Sequence, residues 1–476
     1  MLHIYNSFTR KIEDFVPIHP PKVGLYTCGM TVYDYAHIGH GRKYVGDDVL
    51  RRILTRFGYD VTHVQNVTDV GHLASDADEG EDKMEKGAKK YGKTVWDVAK
   101  FYTDHFYTTM DSLNVLRPSV ICKATEHIAE QIALIQKLVD RGHAYETPEA
   151  VYYDVTTFPG YDKLFGRQKL TEKKTAVRDS VQTGEHKKHP ADFALWFKRV
   201  GRFADHAMHW DSPWGDGFPG WHIECSAMSM KYLGDSFDIH TGGIDHIPVH
   251  HPNEIAQSEG ATGQPFVKYW IHYNFLRVDG KKMSKSFGNF YTVEDVIKKG
   301  IDPLALRYFY LTSQYRSELN FTWESLHAAQ SALSELRIQI SKLKAEKRER
   351  SALSEEKLAK VDAYRAKFDS ALGNDMNTPQ ALAVVWELIK SNVPSQDKFD
   401  LLLDFDDVLG LKLADISEAP TEEEAPAGIQ ALLRKRDEFR AAKKFAESDT
   451  VRDQIVKSGY EIEDTPQGSR VKKKTI

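Results

Sequence analysis

Two short segments carry residue types suited to nucleotide chemistry: His37-Ile38-Gly39-His40 and Lys282-Met283-Ser284-Lys285-Ser286. In the first, Gly39 lacks a Cβ, so a purine or ribose can approach the backbone closely. His37 and His40, three apart on one helical face, can donate hydrogen bonds to phosphate oxygens. In the second, Lys282 and Lys285 bring two cations to a pyrophosphate leaving group. Ser284 and Ser286 add hydroxyl donors beside Met283, and Gly280 and Gly288 leave the loop free to close. Taken singly, each segment reads more readily as a helix-capping histidine cluster or a solvated basic loop, because patterns this short recur by chance. Together, in this order, they point to a bound ATP whose α-phosphorus is attacked. His37, His40, Lys282 and Lys285 are then the catalytic candidates, with Gly39, Met283, Ser284 and Ser286 as further ATP contacts.

The elements that must position these residues can be read around them. An apolar, strand-like run, Val23-Gly24-Leu25-Tyr26-Thr27-Cys28, precedes the first segment. After it Val45, Val49 and Ile53 recur at helical spacing beside Leu50, Leu54 and Phe57. That places His37 to His40 where a strand gives way to a helix N-terminus, the usual anion site of a nucleotide-binding half-fold. A second strand follows in Val61, Thr62, Val64 and Val67, with Gly58 ending the helix before it.

A second group of residues suits a metal. Cys28 and Cys225 are soft thiolates, and His250 and Glu254 stand four apart around Pro252, as in the first turn of a helix. Spacing alone leaves this open between a Cys/His/Glu zinc site and two buried cysteines with a surface histidine.

Composition sets outer bounds. The 476 residues suggest about three domains, and 41% hydrophobic content suffices for sizeable cores. No apolar run approaches the ~20 residues that span a bilayer, and Met1-Leu2-His3-Ile4-Tyr5 has no secretory pattern. A cytoplasmic chain with no membrane partner is expected. Three cysteines argue against a disulfide framework. A net charge of -5 excludes a generally cationic nucleic-acid binder, so contact with RNA must come from local basic patches.

Longer stretches carry a resemblance along the whole chain. They are Tyr26-Thr27-Cys28-Gly29-Met30-Thr31-Val32-Tyr33-Asp34, Pro219-Gly220-Trp221-His222-Ile223-Glu224-Cys225-Ser226-Ala227-Met228, His250-His251-Pro252-Asn253-Glu254-Ile255-Ala256-Gln257-Ser258, Asn374-Asp375-Met376-Asn377-Thr378-Pro379 and Glu463-Asp464-Thr465-Pro466-Gln467-Gly468. With the two ATP segments, the chain resembles a class I aminoacyl-tRNA synthetase and, within that class, a cysteinyl-tRNA synthetase. The resemblance implies activation of L-cysteine with ATP and Mg2+, then transfer to the 3′-terminal adenosine of tRNA(Cys). It also implies one Zn2+ per chain on Cys28, Cys225, His250 and Glu254, with the substrate thiolate as a further ligand. Thr68, Trp221 and Asp245 become the substrate-binding candidates, and a monomer is expected. Thr241, His246, Pro252 and Val471 depart from the family's usual glycine, apolar, acidic and tryptophan residues. A related ligase that joins cysteine to an amino sugar shares the catalytic core, but the chain beyond Leu319 argues against it. A non-catalytic RNA-binding paralogue would be expected to have lost catalytic residues, and both ATP segments and all four ligands are intact.

The expected fold is α/β: a Rossmann-type parallel-sheet catalytic domain carrying an insertion, then an α-helical bundle and a small C-terminal domain. The halves of the nucleotide fold are assigned to residues 1–115 and 200–265, around an insertion at 116–199. That insertion has a helix carrying Ile128, Ile132, Ile135 and Leu138, an alternating strand Val151-Tyr152-Tyr153-Asp154-Val155, and a polar stretch from Lys169 to Lys188. The Lys282 loop and stem-contact region occupy 266–318. A tRNA-binding bundle follows at 319–414, with Leu333, Leu336, Ile340 and Leu343 and then Leu358, Val361, Phe368 and Leu372 at helical spacing. The charged run Lys342 to Arg350 reads as a solvated helix face. An acidic, proline-containing linker from Glu418 to Pro426 leads to an anticodon-recognition domain at 427–476.

Overall fold

The computed structural model describes residues 1–71, 82–166, 186–284, 287–346, 354–416, 426–442, 444–465 and 468–473. Lys285, Ser286, most of the Lys169 to Lys188 stretch, the end of the Lys342 to Arg350 run and nearly all of the Glu418 to Pro426 segment lie outside them. The chain divides into one unit of Met1–Leu336 with Ala352–Ala414 and a second of Arg337–Ser351 with Asp415–Ile476.

A hairpin of β1 (His3–Asn6) and β2 (Lys11–Asp14) opens the first unit. β3 (Lys22–Thr27), α1 (Ile38–Arg56), β4 (Asp60–Val67), α2 (Lys83–Tyr91), α3 (Val95–Ser112) and β5 (Val120–Lys123) follow. Next come α4 (Ile128–Asp140) and an antiparallel sheet of β6 (Ala144–Glu146), β7 (Ala150–Tyr153), β8 (Phe193–Lys198) and β9 (Gly217–Pro219). The chain then returns through α5 (Trp221–Leu233), β10 (Phe237–Gly243), α6 (His250–Thr262) and β11 (Val267–Tyr273).

The central sheet has the order β11-β10-β3-β4-β5, and every pair in it is parallel. From β3 the chain runs outward through β4 and β5, and from β10 outward the other way through β11. The order therefore reverses between β3 and β10, where open parallel sheets hold their ligands beyond the strands' C-terminal ends. Helices on the sheet make its strands apolar on both faces, and Leu25, Tyr26, Val64, Ile239 and Ile271 are fully buried. Each such side chain contributes about 1.5–3 kcal/mol on leaving water. The sequence pattern around β7 predicts one buried and one open face. All four of its residues are buried, because Val151 and Tyr153 join the main core while Ala150 and Tyr152 pack in a second one.

Beyond the sheet lie β12 (Leu276–Val278), β13 (Lys281–Lys282), α7 (Val293–Lys298), α8 (Pro303–Leu311) and β14 (Leu319–Phe321). Four longer helices follow: α9 (Trp323–Ala345), α10 (Glu355–Gly373), α11 (Thr378–Lys390) and α12 (Ser395–Leu409). Within this unit α12 packs against the C-terminal part of α1, where Arg52 donates to the Asp407 carbonyl and Arg56 pairs with Asp404. In the second unit α13 (Ala427–Ala441) and α14 (Phe445–Lys457) pair with a hairpin of β15 (Tyr460–Thr465) and β16 (Gly468–Lys473). Ile429, Val451 and Ile455 form its core, and Val471 packs on them from β16.

Candidate active site and metal centre

Cys28 follows the last residue of β3, Cys225 lies in α5, and His250 and Glu254 face the same point from the first turns of α6. Elements more than two hundred residues apart thus bring four buried donor atoms within 4.8 Å of one another. The sulfurs of Cys28 and Cys225 are 3.9 Å apart, and His250 Nε2 is 2.9 Å from Glu254 Oε1. Glu254 Oε1 accepts no well-aligned hydrogen bond from this close neighbour. Two thiolates on one tetrahedral ion at ~2.3 Å would stand about 3.8 Å apart, close to the spacing found. The donor set therefore fits a borderline-soft divalent ion.

The electrostatics point the same way. Burial pushes the Cys28 thiol up, and Cys225 is raised by its hydrogen bond with Cys28 and then by burial. Burial opposes charge on Glu254 as well, yet His240 and His250 hold its carboxyl below the usual range. His250 is raised despite its burial by the charges of Glu254 and Cys225. The cluster draws positive charge to its centre, and a cation held there would supply that charge while displacing protons.

A second ring of histidines surrounds these donors. His240 Nε2 pairs with Glu254 Oε2 at 2.8 Å, and His222 Nδ1 faces His250 Nδ1 at 2.9 Å. His251 lies 2.7 Å from His272 and 3.7 Å from the Cys28 sulfur. Such partners fix ring orientation and tautomer. The indole of Trp221 stacks on His250 with centroids 4.5 Å apart. Thr68 is buried and donates to Glu224 of α5 at 3.1 Å. Asp245 sits on a short 3-10 turn after β10 with its carboxylate folded over Gly243, where a Cβ would meet Oδ1 at 2.2 Å.

Pro252, His246 and Thr241 adjoin this centre. Pro252 is the third residue of α6, where the missing N–H would have had no helical partner. His246 is 3.2 Å from His251 and edge-on to Trp221. The Thr241 hydroxyl donates to Asp47 of α1 at 2.6 Å.

The two ATP segments meet at the start of α1, which also reaches the Cys28 carbonyl through Lys43 and Tyr44. His37 caps α1 in a reciprocal box with His40: the Nδ1 of His37 accepts from the His40 N–H at 3.1 Å, and the Nδ1 of His40 accepts from the His37 N–H at 3.3 Å. With both Nδ1 atoms acting as acceptors, each neutral ring carries its proton on Nε2 and presents it as a donor. The rings stack 3.5 Å apart, and burial holds His40 well below its ordinary range, so it stays neutral. Met283 reaches this cap, since a Cβ on Gly39 would lie 3.2 Å from its Cε. The Ile38 N–H donates to the Tyr291 carbonyl at 2.9 Å, tying the second segment's downstream flank to α1. Lys282 is exposed on β13, and Asn289 links the Lys282 carbonyl to the Ser284 N–H. Lys285 and Ser286 fall outside the described residues.

The histidines at 222, 240, 251 and 272, and the polar pair Lys43 and Asp47, belong to this region but were not singled out by spacing. Their signal in the sequence is a high histidine count, 20 in all, and a Lys/Asp pair four apart in the helix that also carries Val45 and Val49.

Comparison with known proteins agrees with the architecture. Residues 14–331 match the family described as tRNA synthetases class I (C) catalytic domain, and residues 367–392 match the DALR domain. A cysteine–tRNA ligase of Burkholderia lata is 46% identical over 99% of this chain and 96% of its own. One from Treponema denticola is 44% identical over 97% of this chain and 98% of its own. Among solved structures, the Mycobacterium tuberculosis methionyl-tRNA synthetase in complex with methionyl-adenylate superposes with a TM-score of 0.56 at 16% identity, covering 82% of this chain and 88% of that one, a likeness of fold. From matches that span nearly its whole length, the chain belongs to the cysteine–tRNA ligase family of class I tRNA synthetases.

Proposed function

We propose that this protein ligates L-cysteine to tRNA(Cys) in two steps, and that Cys28, Cys225, His250 and Glu254 hold one Zn2+ that selects the thiol. The observation that carries this reading is a thiolate-rich donor set at the β3/β10 switch point, with Cys28 touched by the helix that His37 and His40 cap. Bound zinc prefers a soft thiolate to a hydroxyl that stays protonated at neutral pH. That preference separates cysteine from serine, which a pocket of matching size cannot do well.

The remaining work falls to the chain's own residues. Trp221 supplies an apolar wall and Asp245 a carboxylate for the substrate ammonium, while Thr68 steadies Glu224 behind them. The cysteine carboxylate attacks the α-phosphorus of ATP, the bond to pyrophosphate breaks, and cysteinyl-adenylate forms. His37 and His40 donate through Nε2 to phosphate oxygens, where charge grows in the transition state. Lys282 and Lys285, aided by Ser284 and Ser286, receive the leaving pyrophosphate, whose charge a Mg2+ bound with ATP would share, and Gly39 and Met283 face the nucleoside. The 2′-hydroxyl of the terminal adenosine then attacks the activated carbonyl carbon and AMP leaves. No covalent protein intermediate is involved, because positioning and electrostatics suffice.

We assign residues 319–414 to contact with the tRNA body and 427–476 to anticodon recognition, around a catalytic domain at 1–115 and 200–265 with its insertion at 116–199 and the loop region at 266–318. The protein is read as a cytoplasmic monomer; among the described residues no helix is long and apolar enough to cross a membrane. Pyrophosphate exchange with ATP, run with cysteine and with serine on protein of measured zinc content, tests the proposal. The expected result is about one zinc per chain and exchange with cysteine alone. Exchange of equal rate with serine, or full exchange in zinc-free protein, overturns it.

A further inference from the structure

The carbonyl of Cys28 lies just past the end of β3, where pairing with β10 has stopped at Thr27 and Thr241. It accepts Lys43 Nζ at 2.5 Å and the Tyr44 hydroxyl at 3.4 Å. Lys43 also pairs with Asp47, one turn along α1, at 2.8 Å. The other oxygen of Asp47 accepts the Thr241 hydroxyl at 2.6 Å, and the Thr241 carbonyl accepts the Cys28 N–H at 3.2 Å. A closed polar ring therefore runs from the Cys28 N–H through Thr241, Asp47 and Lys43 to the Cys28 carbonyl.

The setting makes this ring unusual. Asp47 is almost fully buried and Lys43 largely so, in a helix stretch whose neighbours Val45 and Val49 are core residues. Charges taken out of water are costly unless each is paired. Sheet pairing does not require the ring, since Leu25, Tyr26 and Thr27 already have their β10 partners. The ring adds restraint at Cys28 and ties α1 to β10 through Asp47 and Thr241. On the far side the Gly29 N–H donates to Asn66 Oδ1 at 2.7 Å, so the backbone is gripped on both flanks of the sulfur donor. One link of the ring, Lys43 to Asp47 Oδ2, is an ion pair rather than a well-aligned hydrogen bond, and the others are hydrogen bonds.

We propose that Lys43, Asp47 and Thr241 are positioning residues that lock the backbone of Cys28, and that this lock sets how firmly the metal is kept and how well the substrate thiol is bound. The inference rests on the zinc reading above. It predicts a split that a general packing role would not give, with cysteine binding and metal retention affected and ATP binding spared.

The test uses full-length, zinc-loaded protein and follows zinc release to a chromogenic chelator together with KM for cysteine and for ATP. Thr241→Val keeps the shape and removes the hydroxyl. It is expected to speed zinc release and raise KM for cysteine by about 10- to 100-fold, the usual cost of losing an outer-shell partner. KM for ATP should stay within about twofold, a ground-state readout separate from the thiol site. Thr241→Ser, which restores the donor, should return both values close to the parent. The pair Lys43→Met with Asp47→Leu removes both charges together, so neither is left buried alone, and should reproduce the split. Zinc-loaded parent protein whose Thr241→Val and paired variants release zinc at the parental rate overturns the inference. So does an equal rise in both KM values. Parent protein that carries no zinc overturns the metal reading itself, and the inference falls with it.

Discussion

Around Cys28 the chain is closely packed, whereas the glycines flanking Lys282 stand in open space. A Cβ on Gly29 would stand 1.7 Å from the Asn66 carbonyl oxygen, while one on Gly280 or Gly288 would meet nothing within 4 Å. The metal donors are buried and held from β3, α5 and α6 at once; Lys282 is exposed on a two-residue strand. The difference suits the chemistry proposed above for each region. Choosing sulfur over oxygen needs ligands fixed before substrate arrives, since a ligand that must reorganise spends selectivity on its own ordering. Receiving a pyrophosphate that forms and then leaves needs groups able to approach and withdraw.

The strongest way to break this contrast is to remove a fixed ligand. Cys225→Ala should lower kcat/KM for cysteine activation by more than roughly 10³-fold, beyond the ~100-fold that an outer-shell loss costs. Metal analysis of the same protein should find zinc lost. Full zinc occupancy with unaltered preference for cysteine over serine would show that selection lies elsewhere.

On the exposed side, Lys282→Ala should depress adenylate formation by about 10²- to 10³-fold, as for other donors that act in the transition state. Because charge builds on pyrophosphate only as the bond breaks, the loss should fall on kcat. Single-turnover kinetics separate the terms, and a variant altered only in KM for ATP would place Lys282 in ground-state binding.

These two regions also differ in how far the sequence announces them. The His37 cap was legible because strand, cap and helix are consecutive, and local spacing encodes local structure. The metal donors were not, since Cys28, Cys225 and Glu254 meet only through the strand order of the sheet. Spacing left them undecided, and only the resemblance singled them out. The alternation expected from Val151 to Val155 failed for a related reason: both faces of β7 are covered by elements distant in sequence. Lys43 and Asp47 look ordinary among their neighbours, and their tie to Thr241 lies in a ring closed through β3 and β10.

The buried side should also carry a pH signature. His63 lies in β4 under the site, 3.0 Å from the Thr27 hydroxyl, and burial, helped by Arg51 and Lys43, lowers it to about 3. In the folded protein it is neutral; in the unfolded chain it takes up a proton below its ordinary value of about 6.5. Stability from this group is thus complete above pH 6.5 and is lost as pH falls toward 3, at up to ~1.4 kcal/mol per pH unit. Denaturant unfolding at several pH values should show a shallower acid limb for His63→Gln than for the parent. An unchanged slope would mean that His63 is already protonated when folded.

The smallest effect sharpens the comparison most, because it asks whether the two regions move independently. Gly288 has φ +67, and no atom crowds its Cβ position, so Gly288→Ala meets only the left-handed penalty of about 1 kcal/mol, a factor of about five. Gly29→Ala instead drives a methyl group into the Asn66 backbone, which cannot swing aside as a flexible side chain would. Gly288→Ala should therefore change adenylate formation by no more than about tenfold and leave zinc content and KM for cysteine at parental values. Gly29→Ala should displace Cys28 and lower both zinc content and cysteine affinity, with thermal melts on each variant separating local displacement from unfolding. If Gly288→Ala disturbs zinc and cysteine as much as Gly29→Ala does, the loop and the metal centre are one mechanical unit, and the division between a fixed selecting half and an adjustable reacting half does not hold.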